Sequence, residues 1–309
     1  MSEERIPFNI KMFEKNEPVG EQVDPSTNIK FEEEKWDGNV ISIKGLHQIF
    51  NEGKPNEYPL FVDFNLDVPD FEDKGQFISI MGGSGCGKTQ LLRAIAGLTE
   101  IPKGEIRIYG KKLDDYGNIP MVFQHYSSYE WMTVRDNVAL PMILRGVPKK
   151  EAREKADKLL EIVDLKEHGD KYAKTPALSG GQLQRVSIAR CLACNSQILL
   201  LDEATSGLDV KMKREVQNIL LDIFEKSEID PTILNVTHSI DEAIYLSNRI
   251  IVLQAKPCRV YKTIDIHFDG EEEKGRGKWV LETEEFLKYT KELTHALDEV
   301  CGAGKNNNA

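Results

Sequence analysis

The chain has 309 residues, 40% of them hydrophobic and 29% charged, enough apolar content to bury a sizeable core and too much to leave the whole chain disordered. The formal net charge of −11 divides as −5 over residues 1–38, −4 over 266–309 and −2 between them, which argues against gripping DNA, RNA or an anionic bilayer through its own field. No apolar run approaches the roughly 18–20 residues of a membrane span, and the start MSEERIPFNI lacks the basic and apolar stretches of a secretory signal, so a cytosolic chain is expected. The five cysteines are an odd number without disulfide-like spacing, which fits a reducing compartment.

Residues 1–38 read as an acidic leader punctuated by Pro7, Pro18 and Pro25. From Val40 the pattern becomes strand-like through Phe50 and again over Leu60–Val68, with turn-rich loops at NEGKPNEYP and at Asp67–Gly75. Phe77–Met81 is a short apolar run, read as a buried parallel strand. It leads directly into a glycine-rich turn and then a helix with Leu91, Leu92, Ile95 and Ala96 inward, ended by Gly97. Glu151–Val163 is a second amphipathic helix, with Ala152, Ala156, Leu159, Leu160 and Val163 on one face, and Leu183–Ala193 is a third. The Cys191/Cys194 pair falls on that third helix with no second pair or histidine cluster beside it, so both are read as helix residues. Ile198–Leu201, Thr232–Thr237 and Arg249–Leu253 are further strands. Strands alternating with helices imply a mostly parallel sheet in an α/β domain.

The chemistry is expected at strand ends. Gly82–Thr89, GGSGCGKT, matches GxxxxGK[ST] between a strand and a helix. Glycines let successive backbone N–H groups turn inward around phosphate oxygens, and the following helix aims its positive end at the same place. Lys88 adds a point charge for the β/γ phosphates and Thr89 a hydroxyl for Mg²⁺. Asp202 closes an apolar strand, where a carboxylate is costly unless it meets a cation, and is the expected Mg²⁺ partner. Glu203, next in the chain, is placed to polarise an attacking water. His238 directly follows Thr232–Thr237 and so lies at the same carboxyl edge, where open α/β sheets bind ligands; a γ-phosphate contact is expected. In Leu178–Gln182, LSGGQ, a serine and two glycines open a helix and form a second anion site. With the first site supplied by the phosphate loop, the second is assigned to a partner's nucleotide.

Taken together these motifs resemble the ATP-binding-cassette ATPases over roughly residues 40–268. GGSGCGKT is similar to the Walker A motif, ILLLDE to Walker B with the catalytic glutamate, LSGGQ to the family signature, Ser206–Asp209 to the D-loop, and His238 to the switch histidine. Gln124 in MVFQ resembles the Q-loop glutamine, and Phe50 occupies the place where the family stacks an aromatic on adenine. The segments MVFQ…WMTVRDNVALP, THSIDEAIYLSNRIIVL and KPCRV bring the chain closer to ATPase subunits of nitrate/sulfonate/taurine-type importers. The stretch NVALPMILRGVPKKEA also resembles ATPases of lipoprotein-releasing and mechanotransmitting exporters. The departures are SSYEW in place of the usual leucine-leucine-proline-tryptophan, Ser239 where an aspartate is usual, Gln90 in place of the second small hydroxyl after the lysine, and no proline after Glu203.

The resemblance implies a P-loop NTPase with a RecA-like α/β core, an antiparallel β subdomain holding the adenine and an α-helical subdomain carrying Ser179. It implies ATP and Mg²⁺ as ligands, with Gly82, Gly83, Ser84, Gly85, Cys86, Gly87, Lys88, Thr89 and Gln90 cradling the phosphates. Thr89, Gln124 and Asp202 would shape the Mg²⁺ shell. Lys88, Gln124, Glu203 and His238 form the catalytic set, and Ser179, Gly180, Gly181 and Gln182 reach a second subunit's nucleotide. Expected partners are a second ATPase subunit, transmembrane permease subunits and a solute-binding protein, with the chain peripheral on the cytoplasmic face of a membrane; no nucleic acid is expected. The division is therefore a leader (1–38), an ATPase domain (39–268) and an acidic C-terminal extension (269–309). In that extension Phe286, Leu293, Leu297 and Val300 share one helical stripe, with Thr283 and two glutamates at its start and Gly302 past its end. Packing on the chain's own core and docking of a second subunit are both open to that helix.

Overall fold

A computed structural model describes residues 37–71, 75–116, 119–226 and 230–302. The leader, apart from its last two residues, and the KNNNA end lie outside the described residues. In chain order the strands are β1 (Asn39–Phe50), β2 (Tyr58–Pro69), β3 (Gln76–Gly82), β4 (Lys103–Ile108), β5 (Lys111–Lys112), β6 (Met121–Val122), β7 (Ile198–Asp202), β8 (Thr232–Val236), β9 (Arg249–Gln254) and β10 (Arg259–Asp265). The helices are α1 (Lys88–Ile95), α2 (Leu113–Tyr116), α3 (Val134–Leu144), α4 (Lys149–Ile162), α5 (Gly180–Leu192), α6 (Val210–Lys226), α7 (Ile240–Leu246), α8 (Glu271–Lys274) and α9 (Glu284–Gly302).

Two sheets form. The first is antiparallel, in the order β2-β1-β4-β5; the second runs β10-β9-β3-β8-β7-β6, parallel from β9 to β6 with β10 antiparallel at its edge. Every residue of β3, β7 and β8 is buried, as a parallel sheet covered on both faces requires. Alternation sorts their side chains between two cores. Phe77 and Met81 of β3, with Leu199 and Leu201 of β7, join the core shared with α3, α4 and α5. Ile78, Ile80, Ile198 and Leu200 point the other way, into the core with α1 and the antiparallel sheet. The β7 and β8 carboxyl ends consequently arrive beside that of β3, with Asp202 opposite Val236 and Val236 opposite Ile80.

The inward faces expected for the helices at 91–96, 152–163 and 183–192 are buried as read. Helix α4 begins at Lys149, two residues before its first acid, and α5 begins at Gly180 because Ser179 caps it. The loop expected from Asp67 starts only after Pro69, since β2 continues its pairing with β1 to that point. Cys191 is buried within α5, Cys194 lies just beyond its end, and both thiols are pushed up chiefly by burial.

Helix α9 packs on the chain's own core. Thr283 Oγ1 accepts from Phe286 N at 3.2 Å, and Phe286, Leu293, Ala296 and Val300 are buried among the residues of α7 and the larger core, with Leu297 half-buried. Its far end reaches the phosphate loop: a Cβ built on Gly83 would stand 3.4 Å from Cys301 Sγ. Leu293 is fully buried, so Leu293→Ala is expected to cost about 2–5 kcal/mol of stability through lost burial and a residual cavity. Urea unfolding of the purified chain checks this; a loss below ~0.5 kcal/mol, the range of a surface change, would mean α9 is not part of the folded core.

Candidate active site

The turn after β3 is built from backbone that a side chain would obstruct. Gly82 has φ 151°, and a Cβ there would lie 2.4 Å from the Leu253 carbonyl oxygen. Gly85 and Gly87 follow at φ 74° and 105°, and α1 starts at Lys88 immediately after. Lys88 is buried at 6% exposure, and its Nζ donates to Gly82 O at 2.9 Å and Gly83 O at 3.0 Å. The ammonium is thus folded back across the loop interior, while Ser84 and Gly85 remain exposed on the rim. Cys86 is buried, its Sγ 3.8 Å from Lys88 Nζ, and burial pushes the thiol up; its N–H donates to Gly83 O at 3.3 Å.

Three segments distant in sequence converge on this turn. Thr89 Oγ1 donates to Asp202 Oδ1 at 2.9 Å. The Asp202 carboxyl is raised, first by burial and then by the neighbouring Glu203 charge, with the Thr89 hydrogen bond opposing. A buried carboxylate with a hydroxyl beside it is an all-oxygen pair, a set that fits a hard ion also held by substrate phosphates. Among the described residues no group of three or more His, Cys, Asp or Glu could hold a metal by itself.

Glu203 adopts φ 51°, a left-handed conformation a non-glycine residue keeps only where its surroundings hold it. Its N–H donates to Val236 O at 2.9 Å, and its own carbonyl accepts from Ser206 N at 2.9 Å. That geometry turns the side chain toward Gln124 and His238. Gln124 Nε2 donates to Glu203 Oε2 at 3.2 Å, and His238 Nε2 lies 3.0 Å from Glu203 Oε1. Facing a carboxylate at that distance, the ring nitrogen carries its proton and donates.

Phe50, Ser84, Gly85, Gly87, Lys88, Thr89, Gln90, Glu203 and His238 line one cavity of about 350 Å³, joined by Tyr58 and Leu60. Phe50 is 39% exposed at the end of β1, so it is a cavity wall and not a strand-end core residue. Tyr58 and Leu60 escaped the sequence reading; the signal available was an aromatic opening β2 opposite the aromatic closing β1.

Ser179, Gly180, Gly181 and Gln182 do not line this cavity within the single chain. They form the start of α5. Ser179 Oγ accepts from Gln182 N at 3.3 Å, and Gln182 Oε1 accepts from Ser179 N at 2.9 Å, a reciprocal capping box. Gln182 Nε2 is also taken, lying 3.0 Å from His168 Nε2. The His168 ring is held below its ordinary pKa by burial and by Lys171 and Arg185, which leaves it neutral to accept. Gly181 has a packing reason of its own, since a Cβ there would meet Met212 Sδ at 2.8 Å. Tyr126 lies over Gly180, its hydroxyl 3.5 Å from where a Cβ would be.

A profile of the ABC transporter family matches residues 66–206. The nitrate import ATP-binding protein NrtD of Synechocystis is 36% identical over 260 residues, covering 83% of this chain and 94% of the relative. The taurine import ATP-binding protein TauB of Sinorhizobium fredii is 41% identical over 221 residues, 71% of this chain and 80% of that protein. The aliphatic sulfonates import ATP-binding protein SsuB of Bacillus subtilis is 41% identical over 194 residues, 62% and 73% respectively. Among solved structures, the dimeric ATP-binding cassette MJ0796 in a post-hydrolysis state with ADP and Pi superposes with a TM-score of 0.63 at 30% identity, covering 74% of this chain and 99% of that one. The chain therefore belongs to the ABC transporter family, as one of its ATP-binding ATPases.

Proposed function

We propose that the chain is the ATP-hydrolysing subunit of an importer of the nitrate, sulfonate and taurine class, working as a pair of cassettes on membrane permease subunits. The observation that carries the ATPase reading is that Lys88, Thr89, Glu203 and His238 line one phosphate-loop cavity, with Asp202 bonded to Thr89 and Gln124 to Glu203 just behind them. The importer class is supported by the relatives, which are named as import ATP-binding proteins.

Lys88 and the inward N–H groups of residues 82–89 hold the phosphates of ATP. Thr89 and Asp202, with Gln124 at the cavity's edge, are the residues that would hold Mg²⁺. When bound, that ion neutralises charge on the phosphoryl oxygens. Glu203, its carboxylate fixed between Gln124 Nε2 and His238 Nε2, accepts the proton of the attacking water. His238, whose N–H meets Glu203 in the free chain, turns that donor to the charge that builds on the transferred group when ATP is bound. Phe50 gives the nucleobase an aromatic face.

Ser179, Gly180 and Gly181 present the positive end of α5 to the γ-phosphate bound by the other subunit. Gln182, whose side chain caps its own helix, contributes by holding that end in shape. Splitting the site between two chains makes hydrolysis wait for closure, and loss of the bridging phosphate lets the halves part.

No described helix is long and apolar enough to cross a membrane. The likeness to import ATP-binding proteins supports a transport path in partner subunits, with this chain docked on their cytoplasmic side. A solute-binding protein is the further expected component of an importer. The test is purification of the native complex from detergent-solubilised membranes. Multi-span permeases of an importer, with a solute-binding protein encoded beside them, support the reading. A partner that spans the periplasm, or no membrane protein at all, overturns it.

A further inference from the structure

The start of β2 touches the phosphate loop at two places. Tyr58 Oη donates to the Gly85 carbonyl at 2.7 Å. Leu60, two residues on and therefore on the same face of the strand, lies against Gly87, where a Cβ would be 3.0 Å from Leu60 Cδ1. Tyr58 also pairs directly with Phe50 at the end of the β1–β2 ladder, and opposed residues project to the same side. Both rings line the nucleotide cavity.

The bond to Gly85 matters because of which peptide it holds. The C=O and N–H of a trans peptide point opposite ways. Anchoring Gly85 O outward on Tyr58 therefore turns the Cys86 N–H inward, where it is found bonded to Gly83 O at 3.3 Å. Gly85 itself is exposed and at φ 74°, so the plane is held at its two polar ends, by Gly83 O within the loop and by Tyr58 from outside it. A phenol is protonated at neutral pH in any case, and burial holds that of Tyr58 above its ordinary pKa, so it is a donor here.

We propose that Tyr58 is a positioning residue of the nucleotide site: its hydroxyl pins the Gly85–Cys86 peptide of the phosphate loop, and its ring, beside Phe50, extends the wall met by the nucleobase. This rests on the ATP-binding reading above and adds a direct mechanical tie between the two ends of the ligand. The glycine cradle is then not self-sufficient. It is set by a residue from the antiparallel sheet, 27 positions earlier in the chain.

The test separates hydroxyl from ring. Affinities of the purified full chain for Mg-ATP and for Mg-tripolyphosphate, which has no base or sugar, are measured by calorimetry for wild type, Tyr58→Phe, Tyr58→Ala and Phe50→Ala. Tyr58→Phe is expected to weaken both ligands alike, by about 5-fold, the effect of one neutral hydrogen bond. Tyr58→Ala weakens ATP further than tripolyphosphate, and Phe50→Ala weakens ATP alone. A general loss of fold would not sort the ligands this way. Wild-type affinity in Tyr58→Phe, or a loss confined to ATP, overturns the proposal. Failure of the ATP-binding reading looks different, because the wild-type chain then binds neither ligand.

Discussion

Glu203→Gln is expected to bind ATP, to hydrolyse it about 10²–10⁴-fold more slowly than wild type, the range a positioned general base contributes, and to accumulate as an ATP-loaded dimer. The substitution keeps the shape of the side chain and lets the amide oxygen accept from one of its present donors, Gln124 Nε2 or His238 Nε2. What it removes is the proton acceptor. It also removes a negative charge that raises the Asp202 carboxyl, so Asp202 ionises more readily and the phosphate side of the site holds its ligands no less well. Binding is therefore retained while turnover is lost, and a chain that closes on ATP without cleaving it stays closed. Single-turnover hydrolysis and size-exclusion chromatography with and without ATP read the two effects. Wild-type turnover in this variant would remove Glu203 from its role, and a monomer that binds ATP without dimerising would break the link between closure and the second anion site.

Lys88→Ala carries the second large effect, a fall in ATP affinity of about 10–100-fold, the range of a hydrogen bond from a charged donor. Two consequences of truncation add. The point charge that meets the β/γ phosphates is gone, and the carbonyls of Gly82 and Gly83, which Nζ now satisfies, turn their partial negative charge on the ligand without a cation between. A buried lysine also contributes its stem to packing, so thermal unfolding of the free protein is measured beside the affinity. An unchanged Kd for Mg-ATP contradicts the phosphate-loop reading, whereas a Kd rise with an unshifted melting temperature supports it.

The phosphate loop and the signature segment were legible in the sequence because each is chain-contiguous. Adjacent glycines and a following helix define GGSGCGKT, and a serine three residues before a glutamine defines a capping box. The runs that became β3 and β7 read as buried strands for the same reason, their burial being written into four or five successive, mostly apolar residues, whereas β8, TILNV, carries polar Thr232 and Asn235 that are buried all the same. The stripe of α9 was equally visible, but stripe and caps say only that a face must be covered. Its contact with the core beside α7, and the approach of Cys301 to Gly83, depend on where β9 and β10 leave the chain.

Composition and spacing by themselves determined an α/β nucleotide-binding chain with a phosphate cradle, a second capped anion site and the carboxylates at a strand end. The order of the strands was decided only in three dimensions. Placing β8 between β3 and β7 brings Thr89 to Asp202 across 113 positions, and pairing β6 with β7 brings Gln124 to Glu203 across 79; no local pattern encodes which parallel strands become neighbours. The left-handed turn at Glu203, the engagement of Gln182 by His168 and the tie from Tyr58 to Gly85 belong to that second kind. The two side-chain ties join segments whose own preferences are satisfied without them, and the Glu203 turn is held by its N–H bond to Val236 O on the neighbouring strand, so all three arise from packing.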